Sequence, residues 1–212
     1  MSSADAVPWI YVLAGTNGAG KSSIGGAALI QNRAEYFNPD SETRRIQSAN
    51  PGIGPGEANG AAWMEGKRLL ERAIAERCSF AFETTLGGKT ISRLLEDALS
   101  RGIEVRVWYA GLSSPELHIA RVRSRVRKGG HDAPEARIRE RYDSGRLNLI
   151  RLLPKLTALK LYDNSEEADP DAGVAPKPKL LLHMERGRFI SSCDLSLTPD
   201  WAKPILAAAF QV

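Results

Sequence analysis

Residues Leu13–Ser23 read LAGTNGAGKSS. From Gly15 to Ser22 they satisfy G-x-x-x-x-G-K-[ST], a loop whose glycines let backbone N–H groups close around phosphate oxygens. The residues before it, Trp9–Gly15 (WIYVLAG), form the apolar run expected of a buried central strand. A helix is expected to start at about Gly20, with its unpaired N–H groups turned toward the phosphates. Strand, loop and helix in this order predict an α/β, three-layer P-loop NTPase, nucleotide-kinase-like, with a mostly parallel sheet that binds ligands beyond its strand ends. Gly15, Thr16, Asn17, Gly18, Ala19, Gly20, Lys21, Ser22 and Ser23 are the candidate ATP-binding residues. Lys21 is expected to reach the β- and γ-phosphates, and the Ser22 hydroxyl to ligate Mg²⁺.

The wording NGAGKSS also occurs in transporter-type ATPases, which need a hydrophobic strand ending in Asp-Glu and an LSGGQ-like signature. Thr85–Thr90 (TLGGKT) imitates the signature, but no Asp-Glu strand follows, and VRVWYAGL carries no carboxylate. The transporter reading is excluded. The γ-phosphate then goes either to water or onto a second molecule.

Beyond the loop, QNRAEYFNPD reads as loop or short strand ending at Asp40, and SANPGIGPGEANG reads as a flexible connection. AAWMEGKRLLERAIAER has helical spacing, CSFAFETT is a second buried strand, and ISRLLEDALSRG is an amphipathic helix stopped at Gly102. IEVRVWYAGL is a third strand. The next helix takes Ser114 as N-cap and Pro115 at its first position, and another is entered through Pro134. ALKLYDNS is a fourth strand, and SEEADPDAGVAPKPK an exposed acidic loop. KLLLHMERGRFISS predicts a hairpin turning at ERGR, and a short helix closes the chain. The expectation is a single domain over residues 1–212, with a lid at about 121–145 and a C-terminal hairpin plus helix at about 178–210.

Two carboxylates fall at strand ends. Asp40, nineteen positions after Lys21, can accept the proton of an acceptor hydroxyl and orient its oxygen for in-line attack. It can equally serve an Asx-turn in NPDSE. Glu83 closes SFAFE and is followed by Thr84 and Thr85; it is the candidate to hold Mg²⁺ or, with the threonines, to bind acceptor hydroxyls.

HIARVRSRVRKGGHDAPEARIRERYDSGRLNL is dense in arginine. Arg121 and Arg125 fall one turn apart on one helical face, and Arg123 and Arg127 share another. A glycine hinge follows, then a helix with Arg137, Arg139 and Arg141. Such a hairpin suits a lid that closes over ATP and brings guanidinium groups onto the transferring phosphoryl, with Arg125, Arg121 and Arg141 as candidates. Solvated surface arginines or a nucleic-acid grip are the competing readings, although aromatic interleaving is confined to Tyr142. His131 is a candidate substrate contact; His118 and His183 read as structural.

The chain has 212 residues, a net charge of +4 and two cysteines, Cys78 and Cys193, without metal-ligand spacing. Reduced thiols are expected. No signal-peptide pattern and no run of about 20 apolar residues is present. These features suggest a cytoplasmic protein.

Taken together, AGTNGAGKSS, FNPD, FAFETTL and ARVRSRVRKGGHDAPEARIRERY…NL resemble the zeta toxin family of P-loop kinases, in its shorter branch of bacterial ATPase-like proteins. The likeness runs from about Ile10 to Asn164. It implies a fold like that of a nucleotide or sugar kinase, ATP and Mg²⁺ as cofactors, and transfer to a sugar nucleotide such as UDP-N-acetylglucosamine. It also implies an antitoxin partner. By position it makes Lys21 and Ser22 the ATP and Mg²⁺ ligands, Asp40 the catalytic base, and Glu83 with Thr85 the sugar contacts. Arginines among Arg121, Arg125 and Arg141 would clamp phosphate. Larger members carry an arginine where this chain has Gly87. A regulatory P-loop ATPase, or a kinase of nucleosides or nucleic-acid ends, stands as the alternative.

Overall fold

A computed structural model describes residues 7–21, 24, 35–166 and 177–212. Among these residues seven strands form one sheet in the order β2-β3-β1-β4-β5-β6-β7. The first five are β1 (Trp9–Ala14), β2 (Glu35–Phe37), β3 (Phe80–Thr84), β4 (Glu104–Gly111) and β5 (Ala158–Asp163). They pair in parallel, while β6 (Lys179–Glu185) and β7 (Arg188–Ser192) extend the sheet antiparallel. The fold is thus mixed α/β on a mostly parallel sheet, as the alternation of apolar strands and periodic helices predicts. β1 is central, and its register sets Leu13 beside Glu83 and Ala14 beside Thr84. This register aligns the end of β3 with the start of the phosphate loop.

Six helices are described: α1 (Pro39–Ala49), α2 (Pro55–Glu76), α3 (Lys89–Ser100), α4 (Pro115–Arg127), α5 (Glu135–Leu152) and α6 (Lys203–Ala209). Lys21 and Ile24 are helical, as expected after the loop. Ser22 and Ser23 lie outside the described residues, as do 167–176 of the acidic loop. Helices α2, α3, α5 and α6 share one core with the sheet, built on residues such as Ile10, Leu70, Phe82, Leu95, Leu149 and Leu206. The α4–α5 junction has a separate small core of Ile119, Val122, Ala133 and Ile138.

Two expectations change. The stretch taken as a flexible connection is largely helix, because α2 begins at Pro55 and absorbs GEANG. Pro55 sits in its first turn, and the Glu57 carboxylate accepts from the Gly54 N–H at 3.1 Å. These start signals outweigh two glycines. Asp40 is not in a loop; it belongs to the first turn of α1, where Asn38 is the N-cap and accepts from Ser41 N at 3.0 Å. The hairpin turns at Arg186 and Gly187, both with positive φ, the conformation that matches strand twist in a two-residue turn.

Candidate active site

The site is assembled at the carboxyl ends of β1 and β3, under the α4–α5 hairpin. In the phosphate loop, Gly18 and Gly20 adopt φ of 83° and 76°. A Cβ on Gly18 would come within 2.6 Å of the His118 carbonyl oxygen, and one on Gly20 within 2.3 Å of Asn164 Nδ2. Only glycine meets both the conformation and the clearance. The loop is tied from outside: Asn164 Nδ2 donates to Ala19 O at 2.9 Å, and His118 Nδ1 donates to Asn17 O at 2.8 Å. Asn164 is fully buried, and its Oδ1 has no hydrogen-bond partner among the described residues. The Lys21 ammonium donates to Gly15 O at 3.0 Å. Burial pushes its pKa below the ordinary lysine value, against the opposing pull of Glu83 and Asp40. The glycine geometry, the anchored loop and the lysine fit a nucleoside triphosphate.

His118 is buried, and desolvation lowers its pKa to about 4, with neighbouring Lys21, Arg121 and Arg146 acting in the same direction. A neutral ring donating through Nδ1 satisfies the loop carbonyl. The unfolded chain binds this proton near pH 6.5, so the stability contribution is complete above that value. It is lost as pH falls from about 6.5 through about 4, by up to roughly 3 kcal/mol. Urea midpoints measured across this range are expected to fall less steeply in His118→Asn; identical slopes would exclude His118 as the group responsible.

Glu83 is buried and accepts two hydrogen bonds on Oε1, from the Tyr36 hydroxyl at 2.5 Å and from Asn38 Nδ2 at 2.9 Å. Burial, with the Glu83 carboxylate next, raises the Tyr36 pKa, so the phenol keeps its proton and donates it. Asn38 therefore does two jobs, capping the helix that carries Asp40 and holding Glu83. Thr84 Oγ1 accepts from Leu86 N at 3.0 Å and Thr85 Oγ1 from Gly87 N at 3.5 Å. The turn is held from behind by Asn148, which donates to Leu86 O at 2.8 Å.

From the hairpin, Arg125 pairs with Asp40 (Nη1 to Oδ2, 3.3 Å) and donates through Nη2 to His131 O at 2.7 Å. Its buried Nε has no hydrogen-bond partner among the described residues. Arg141 donates to Asn17 Oδ1 at 2.9 Å, and a Cβ on Gly87 would approach its Cγ to 2.7 Å. The glycine thus leaves the room that Arg141 occupies. Burial lowers the Arg141 pKa, and Arg137 adds to the effect.

Lys21, Asp40, Glu83, Thr84, Thr85, Arg125, His131 and Arg141 all line one cleft of about 570 Å³, in the size range of small-molecule sites. Arg121 does not line it. Although one turn from Arg125, its guanidinium reaches the other way and donates to Glu166 O at 3.1 Å. Arg123 pairs with Glu135 and Arg139 with Glu116, so these two arginines brace α4 against α5. The residue pattern gave no site role to Tyr36, Asn38, Asn148 or Asn164, and it put Arg137 on the lid helix without making it a phosphate-clamp candidate, although Arg137 lines the cleft. Asn38 had a legible signal, a capping residue before proline. Tyr36, Asn148 and Asn164 meet their partners only through tertiary packing, whereas Arg137 pairs with Glu140 one turn along its own helix.

No family model matches the chain. It is 30% identical over 129 residues to an uncharacterized protein of Haemophilus influenzae, covering 60% of this chain and 88% of that protein. Among solved structures it resembles a chain of the AvrRxo1-ORF1:AvrRxo1-ORF2 complex, with a TM-score of 0.68 and 15% identity over 98% of this chain. The present chain spans 65% of that chain's length. The complex has also been crystallised with ATP. It further resembles a chain of the PezAT chromosomal toxin–antitoxin system of Streptococcus pneumoniae, with a TM-score of 0.55 and 15% identity, covering 82% of this chain and 75% of that one. These likenesses show the fold alone, a mixed α/β P-loop fold on a mostly parallel sheet. The chain belongs to the family of the Haemophilus influenzae protein.

Proposed function

We propose that the protein is an ATP-dependent kinase of zeta-toxin type, acting in the cytoplasm on a hydroxyl of a small acceptor. A sugar nucleotide such as UDP-N-acetylglucosamine is the first to test. The observation that carries this reading is the Asp40–Arg125 pair at 3.3 Å in the cleft that Lys21 also lines. A base, a cation for the developing charge and a phosphate-loop lysine are the parts phosphoryl transfer requires.

In the proposed reaction, Asp40 orients the acceptor hydroxyl and takes its proton. The acceptor oxygen forms a bond to the γ-phosphorus, the bond to the β–γ bridging oxygen breaks, and ADP leaves. Lys21, Arg125 and Arg141 offset the charge on the transferring group. Glu83, held by Tyr36 and Asn38, with Thr85 and His131, contacts the acceptor. Magnesium bound through nucleotide phosphates needs only one or two protein oxygens. Glu83, whose two hydrogen bonds both fall on Oε1, suits that role, alongside the Ser22 expected from the motif. The ion would neutralise phosphate charge.

The separate core of the α4–α5 hairpin supports its reading as a lid over about 121–145 on a single kinase unit. The C-terminal hairpin and helix, about 178–210, complete the sheet and core of that unit. An antitoxin-like protein partner belongs to the same proposal, supported by the likeness to a chain of a toxin–antitoxin system.

The test is ADP release with Mg-ATP, alone and with UDP-N-acetylglucosamine, with phosphorylated product sought by mass spectrometry. A phospho-sugar nucleotide is the expected product; ADP release indifferent to every hydroxylated acceptor would overturn the kinase reading. Arg125→Ala is expected to lower kcat by about 10²–10³-fold with a smaller change in ATP affinity, since its charge is needed mainly in the transition state. An unchanged kcat would move the clamp to Arg141.

A further inference from the structure

We infer that the α2 wall of the cleft selects the acceptor by stacking an uncharged ring, either the C–H face of a sugar or a nucleobase, on Trp63. The inference rests on the kinase reading above. It comes from a part of the cleft that neither the phosphate loop nor the hairpin uses.

Gly56, Asn59, Gly60, Trp63 and Lys67 all line the cleft, and their spacing sets them along one face of α2. Trp63 is 44% exposed. An indole on a cleft wall offers a broad apolar face and one N–H, the combination that takes a planar ring or the C–H face of a sugar.

The glycines beside it sort into two kinds. Gly66 has a packing reason, because a Cβ there would come within 2.5 Å of Phe37 Cε1. At Gly56 and Gly60 a Cβ would meet no atom of the described residues within 4 Å. Alanine would fit at Gly60 and favour the helix. The glycines there keep the wall beside Trp63 low, so that a ring can lie against it.

Charge narrows the ligand further. On this wall Lys67 donates to Glu71 at 2.7 Å, and across the cleft Arg137 donates to Glu140 at 2.8 Å. Both cations are already paired, which leaves the indole face and the Asn59 amide as what α2 offers. An amide donates and accepts, so it can read a ring edge or a hydroxyl without selecting for charge. The acceptor is therefore oriented with its ring on Trp63 and its reacting hydroxyl toward Asp40.

The experiment measures binding of three probes, N-acetylglucosamine, uridine and UDP-N-acetylglucosamine, by calorimetry in the presence of Mg²⁺ and a non-hydrolysable ATP analogue. It uses the full chain and its Gly60→Leu, Gly60→Ala, Trp63→Ala and Trp63→Phe variants. At least one probe is expected to bind, and Gly60→Leu and Trp63→Ala are expected to weaken it by about five- to a hundredfold. Trp63→Phe should stay within about threefold, because it keeps a ring, and Gly60→Ala should weaken binding less than Gly60→Leu, because its single methyl takes only part of the room that glycine leaves. Unchanged affinity for the ATP analogue in every variant establishes that the fold is intact. Binding of N-acetylglucosamine alone assigns the shelf to a sugar, and of uridine alone to a base; either supports the inference.

Binding by none of the three probes, or binding indifferent to both Gly60→Leu and Trp63→Ala, would overturn it. Turnover separates this inference from the kinase reading. Shelf-dependent binding without a phosphorylated product leaves the shelf standing and removes the kinase. Product formed with the same KM in Gly60→Leu and Trp63→Ala leaves the kinase and removes the shelf.

Discussion

Lys21→Ala is expected to abolish detectable phosphoryl transfer, lowering kcat/KM by at least about 10³-fold, since one preorganised cation in a dry site is worth about that much. The reason lies in where the ammonium sits. Lys21 lines the cleft with Asp40 and Glu83, and its amine already reaches back over the loop to Gly15 O at 3.0 Å. Burial works against its charge, and an anion beside it restores the balance. Phosphate binding is thus coupled to the lysine's own desolvation. Removing the side chain removes both a ground-state contact to the nucleotide and the cation on the transferring group. Loss of ATP affinity together with kcat is the expected pattern. Steady-state kinetics with a fluorescent-nucleotide titration reads both, and full turnover by Lys21→Ala would remove the phosphate-loop assignment.

Asp40→Asn is expected to lower transfer to the acceptor by about 10²–10⁴-fold while leaving ATP affinity close to that of the wild type. Asparagine keeps the shape and a partner for the Arg125 guanidinium through its carbonyl oxygen, but it cannot take a proton. The substitution is conservative for structure because the α1 start depends on Asn38, not on Asp40. Residual ADP release without acceptor should persist, since water does not depend on a positioned base to the same degree. Single-turnover transfer and nucleotide binding on the same preparation are the measurements. Equal transfer in wild type and Asp40→Asn would assign the proton to another acceptor group, Glu83 being next in the cleft.

These two residues differ in how they were legible. Lys21 is fixed by a short local motif, and the strand before it follows from apolar composition alone, because a central parallel strand is buried on both faces. The same logic gave β3, β4 and β5, while local cap and turn chemistry gave the Ser114 N-cap, Pro115 at the first helical position and the hairpin turn. Asp40 was readable as a carboxylate at a favourable distance from the loop, but not as a helix residue. FNPD carries both turn and cap chemistry, and the choice between them came with the Ser41 N–H bond to Asn38. In α2, glycine and proline suggested a loop, yet buried Ala58 and Ala62 show that small residues there allow close helix packing. Small residues break a helix in isolation and serve one in a packed fold.

The arginines mark the limit of periodicity. Arg121 and Arg125 share a face by spacing, yet one reaches Glu166 and the other Asp40. A long side chain travels several ångströms from its Cα, so helical phase gives direction at the backbone and not the destination of the guanidinium. By itself the sequence determined the α/β class, the phosphate loop and the identity of the charged groups available, since these depend on neighbours within a few residues. Tertiary structure alone decided which arginine meets Asp40, that Tyr36 and Asn38 hold Glu83, and that Asn164 and His118 brace the loop. Each of those is a contact between residues far apart in the chain, and only the packing of the sheet and helices brings them within reach.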